Sequence, residues 1–104
     1  MSRITAALLS SIIFATLSNA ASAADAAKGG TLAKRWCASC HLVAAEQKNA
    51  NTQVPPFSGI AKKTGFDETK LAFFLLAPHP KMPDMGLSRA EAADLAAYIA
   101  AQGK

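Results

Sequence analysis

Apolar residues recur at helical spacing in three stretches of the chain, and no stretch shows the alternation of a half-buried strand. Gly29, Leu32, Ala33 and Trp36 follow i, i+3, i+4, i+7, on a helix that Asp25 can cap and that is expected to run to about His41. Leu71, Phe74 and Leu75 share one face of a second helix, opened by Asp67 and stopped before Pro78. Ala92, Leu95 and Ile99, with Tyr98 beside them, define a third. Its start is a capping box, Ser88 at the cap and Glu91 three residues on, and it runs to about Gln102. Phe57 to Lys63 suggests a further short helix. The intervals are punctuated: residues 42–54 are polar and turn-rich, Pro55-Pro56 stops regular structure, and residues 78–87 form a proline-stiffened loop. The pattern predicts an all-α fold of three to four helices and two long loops.

Two features modify this pattern. Gly29 and Gly30 each weaken the first helix by about 1 kcal/mol, which suggests a close crossing against another backbone. At the other extreme, Ile4 to Leu17 is an uncharged, largely apolar run behind the positive start of Met1 and Arg3, followed by Ala21-Ser22-Ala23. That order reads as a signal peptide over residues 1–23, cut after Ala23, with the domain over residues 24–104. The run falls short of the ~20 residues that span a bilayer, and no later segment approaches that length. The mature chain is therefore expected to be soluble, without a membrane span, and exported.

A domain this short has a thin core and commonly recruits disulfides, metals or cofactors. The two cysteines, Cys37 and Cys40, sit too close together to staple the fold globally. A large apolar cofactor would supply the missing interior. The formal charge of +4 is spread along the chain rather than gathered in a stripe. This argues against nucleic acid as a partner and suits steering toward acidic protein surfaces.

Cys37-Ala38-Ser39-Cys40-His41 carries the chemistry. On a helical turn, positions i, i+3 and i+4 project from one side, so two thiols and an imidazole can address one flat ligand. This spacing is the signal for covalent c-type haem attachment, with His41 on the iron. A thioredoxin-like pair would require a βαβ context. Zinc would require four ligands, for which adjacent Cys40 and His41 are poorly disposed even with His79. A disulfide across two residues would be strained and close almost no loop.

A haem iron bound by one histidine has a sixth position to fill. Met82 lies in the stiff downstream loop, and Pro83 restricts its backbone to extended conformations. Met85 and His79 are the alternatives, and Met82 as an ordinary gap-filler is a further one. A methionine–histidine pair raises the haem potential and leaves no vacant position for oxygen or peroxide, which favours electron transfer over catalysis. The second nitrogen of His41 needs an acceptor, and Pro55 or Pro56 can present a carbonyl.

These residues resemble the class I c-type cytochromes, the small monohaem bacterial kind. Gly29 stands where that family places a helix-packing glycine. Pro55, Phe57 and Gly59 resemble its proline-x-large-x-glycine stretch, whose proline carbonyl accepts from the ligating histidine. Met82-Pro83 resembles its axial methionine motif, and residues 95–99 its terminal helix. The resemblance implies the cytochrome c fold, helices wrapped around one covalently bound haem c, with Cys37, Cys40, His41, Pro55, Phe57 and Met82 binding the cofactor. It implies His41 and Met82 as iron ligands, and Gly29 meeting Tyr98 where the terminal helices cross. Ala33 departs from the pattern, since many members carry an aromatic there; Leu32 or Trp36 would then fill the gap.

The expectation is a periplasmic, monomeric electron carrier rather than an enzyme. Lys34, Lys62, Lys63, Lys70 and Lys81 are candidates for docking acidic redox partners. A dedicated subunit of a dehydrogenase or oxidase, or a five-coordinate haem enzyme or gas binder, are the alternatives.

Overall fold

The computed structural model describes residues 23–77 and 80–104. The signal-peptide reading of residues 1–23 lies outside the described residues except at Ala23, and so does His79. Four helices follow: α1 (Ala26–Trp36), α2 (Phe57–Ala61), α3 (Glu68–Leu76) and α4 (Arg89–Ala101). The described residues contain no strand.

Helix starts are set by side chains that satisfy first-turn N–H groups left over by the helix ladder. The Asp25 carboxylate accepts from the N–H groups of Ala27 and Lys28, and that of Asp67 from Lys70. Ser88 Oγ accepts from Glu91 N–H at 3.1 Å while Glu91 Oε1 accepts from Ser88 N–H at 3.0 Å, closing the capping box. The Ser88 backbone N–H, then its hydroxyl, hold the Glu91 carboxyl below the usual carboxylate range.

The first helix is shorter than its periodicity predicts. It ends at Trp36, not near His41, because the N–H groups of Cys37 and Ala38 both turn back to the Ala33 carbonyl. This closes the ladder and releases residues 37–41 as a separate turn.

Helix α4 is the hub on which α1, α2 and α3 all pack. Its buried stripe, Ala92, Leu95, Ala96 and Ile99, joins Ala33, Val43, Phe57 and Leu75 in one core. The α1–α4 crossing is backbone on backbone. A Cβ at Gly29 would collide with the Asp94 carbonyl and lie 2.9 Å from Leu95 N. The expectation that Gly29 meets Tyr98 is thus corrected: Gly30 faces the Tyr98 ring, where a Cβ would sit 2.9 Å from Cε2. Gly29 lies against the α4 backbone one turn earlier, and the two glycines together make room for helix and ring. The Asp25 N–H, donating to Asp94 Oδ1 at 2.7 Å, fastens the start of α1 to the same place.

Two packing details also differ from expectation. Ala33 is fully buried and Leu32 packs on the core beside it, whereas Trp36 turns outward under the Arg35 guanidinium. On α3 the packed face is Leu71, Ala72, Leu75 and Leu76. Phe74 falls at its edge and is 42% exposed, because the face centres on the i, i+4 rows through Leu71–Leu75 and Ala72–Leu76. Among the described residues no helix is long and apolar enough to cross a membrane.

Replacing Gly29 by Ala forces the helix backbones apart and is expected to cost about 2–3 kcal/mol, more than Gly30→Ala, where a ring can shift. Denaturant unfolding checks this, and wild-type stability in Gly29→Ala would disprove the close crossing. Ser88→Ala is expected to cost about 1 kcal/mol. Because the Glu91 pKa is lowered by folding, the contribution of its carboxylate is present above the ordinary 4.5 and fades as pH falls through the lower folded value. The stability gap between wild type and Glu91→Gln should therefore narrow on acidification.

Candidate functional site

Residues 37–41 form one turn organised around a single carbonyl. Cys37 O accepts from Cys40 N–H at 3.1 Å and from His41 N–H at 2.8 Å. The turn stands apart from α1, with Cys37 turned into the core, Cys40 exposed and His41 half-buried. Both thiols are free. Burial pushes the Cys37 thiol up to about 11, because the thiolate would lose its hydration there.

His41 Nδ1 lies 2.7 Å from the carbonyl oxygen of Pro55. A carbonyl can only accept, so Nδ1 carries a proton, and in the neutral ring Nε2 keeps its lone pair, the arrangement that suits a metal ligand. The next residue, Pro56, opens α2, and Phe57 at its first position is 3% exposed. The Phe57 ring lies 5.5 Å from that of His41 and 6.3 Å from that of Tyr98, which links the turn to α4. Met82 and Met85 are both half-buried and both pack on the core that contains Cys37 and Phe57. Packing therefore does not separate the two methionines.

Cys37 and Phe57 thus belong to one packed core, Met82 packs against that core, and His41 lies against Phe57. A surface cavity of ≈ 530 Å³ lies beside the turn, between α1 and the following loop, lined by Lys34, Ala38, Val43, Gln47 and their neighbours. No group of three or more His, Cys, Asp or Glu side chains converges on a metal position among the described residues. The donors present, two thiols and one tautomer-fixed imidazole beside apolar and thioether side chains, fit a porphyrin held by sulfur and ligated by nitrogen. They do not form a tetrahedral cage.

The polar stretch of residues 42–54 is more closely tied down than its composition suggests. Asn51 N–H donates to Cys40 O at 2.9 Å, and Phe57 N–H to Leu42 O at 3.0 Å. The Tyr98 hydroxyl donates to Val43 O at 2.8 Å. The Gln47 amide meets main-chain atoms at both its oxygen and its nitrogen, mostly within residues 38–43. Periodicity gives no sign of these anchors, since they come from main-chain groups and two isolated side chains, Tyr98 and Gln47, reaching across the chain.

Comparison with known proteins adds two findings. The cytochrome c family model matches residues 26–102. A relative, cytochrome c-552 of Bradyrhizobium diazoefficiens, is 59% identical over 85 residues, 82% of each chain. No solved structure matches significantly.

The two thiols should differ in reactivity in the polypeptide without attached cofactor. Iodoacetamide is expected to modify exposed Cys40 well before Cys37, whose buried thiol resists ionisation. Peptide mapping after partial alkylation reads the order, and equal labelling would contradict the burial of Cys37. The raised pKa also carries a sign. Stability conferred by the neutral thiol is complete below its ordinary 9.0 and is lost as pH rises toward about 11.

Proposed function

The chain belongs to the cytochrome c family, and on that premise we propose that it is an exported, periplasmic carrier of single electrons with one covalent haem c. The observation that carries the reading is the Cys37–His41 turn with its histidine tautomer fixed by Pro55. Cys37 and Cys40 supply the sulfurs that hold the porphyrin edge, and His41 Nε2 is the proximal ligand. When bound, the haem supplies an iron that alternates between ferric and ferrous.

The polypeptide's own contribution is positional. Pro55 accepts the Nδ1 proton and so fixes the ring's orientation and basicity. Phe57, the first residue of α2, excludes water from the His41 side. Met82 is the proposed sixth ligand, on the strength of the Met82-Pro83 pattern. A filled coordination sphere leaves no site for a substrate, which supports a carrier over an enzyme. Lys34, Lys62, Lys63, Lys70 and Lys81 are all exposed and form the proposed contact zone for acidic redox partners, which the carrier meets as a monomer.

The mass of the exported protein tests attachment: it should exceed the polypeptide from residue 24 onward by one haem. A product weighing only its amino acids would end the proposal. Met82→Ala is expected to abolish the weak long-wavelength band of a thioether-ligated ferric haem, and Met85→Ala to retain it; the reverse would transfer the role to Met85. Electron transfer with an acidic partner should slow as salt rises, since screening shortens to about 8 Å near physiological ionic strength. A rate unaffected by salt would remove the lysines from docking.

A further inference from the structure

The Gln47 side chain grips the attachment turn with both ends of its amide. Its Oε1 accepts from Val43 N–H at 2.9 Å. Its Nε2 lies 2.9 Å from Ala38 O, 2.9 Å from His41 O and 2.8 Å from Asn49 O. Two amide protons therefore serve three carbonyls, so at least one proton is shared. Two of those carbonyls belong to the turn itself: Ala38 stands between the cysteines, and His41 is the proposed ligand. Both follow the end of α1, where carbonyls lose their helical partners. An amide several residues downstream takes the place that further helix would have filled.

We propose that Gln47 is a positioning residue for the haem-attachment turn, its side-chain amide fixing the main chain that carries His41 and the cysteines. The inference rests on the proposed function above. Its physical content is a relay of constraints. Gln47 fixes the His41 carbonyl, hence the direction of the Leu42 peptide. Leu42 O accepts from Phe57 N–H at 3.0 Å, and Phe57 follows the Pro55-Pro56 pair whose first carbonyl holds the His41 ring. The ring is thus closed between two restraints, one on its main chain and one on Nδ1. Gln47 also lines the open cavity beside Lys34 and Ala38. Without its amide, water entering that cavity would compete for the turn's carbonyls.

The test is hydrogen exchange by NMR in the ferrous holoprotein. In wild type, both Gln47 Nε2 protons should exchange roughly tenfold more slowly than those of exposed Gln53, as one retained hydrogen bond requires. Equal exchange overturns the proposal without any variant. Gln47→Glu keeps shape and the acceptor for Val43 N–H but removes both donors. It is expected to speed exchange of His41 Nδ1–H roughly tenfold while the α4 amides of Leu95 and Ala96 keep their wild-type rates. Uniform acceleration everywhere, or none at His41, overturns the positioning role. Wild-type haem incorporation, read by mass, reports separately on the proposed function.

Discussion

The backbone contact between α1 and α4 at Gly29 is the constraint on which the rest of this small protein depends. Every other helix packs on α4, so the position of α1 relative to α4 decides where residues 37–41 emerge. Side chains cannot set that distance, because a Cβ at Gly29 would already strike the Asp94 carbonyl. The helix accepts two poor helix formers in sequence, and the tertiary contact offsets their cost. Asp25 serves both ends of this arrangement: its carboxylate caps α1, and its N–H reaches the Asp94 side chain.

Close approach is needed because the polypeptide has little bulk to bury. Among the described residues only Leu95 and Ile99 are both large and fully buried, and Ala33, Ala92 and Ala96 occupy the rest of the crossing. Interiors gain stability from dense contact rather than from any single group. Helices of this composition can pack densely only when their axes come near. The same economy explains Cys37. Its side chain helps fill the core, and its sulfur would serve the proposed porphyrin, so one residue would support both packing and attachment.

Helix existence, caps and the all-α class were legible in the sequence because each is local: a carboxylate or hydroxyl before an apolar period marks a start whatever surrounds it. Where α1 stops was not, because the ending is decided by two N–H groups sharing the Ala33 carbonyl, and no residue type announces that. The outward turn of Phe74 escaped for a related reason. Periodicity offers two adjacent faces, and only contact with α4 chooses between them. Around the attachment turn, the Cys37–His41 spacing was plain in the sequence, and the Pro55 carbonyl followed from resemblance to a family. Gln47 was invisible in both ways, being one polar residue in a polar loop whose partners lie two to nine positions away.

Val43 ties the helix crossing to the attachment turn. Its carbonyl accepts from Tyr98 of α4, and its N–H donates to Gln47. One residue is therefore gripped through the two peptide units that flank it, from the crossing on one side and from the turn on the other. Burial raises the Tyr98 pKa, and the nearby Glu46 carboxylate adds to the shift, so the phenol stays a donor across the neutral range. Gly30 leaves room for the Tyr98 ring, and the ring's hydroxyl fixes the loop that carries Gln47. The glycines that bring the helices together thereby also place the loop that shapes the turn, although none of them touches His41.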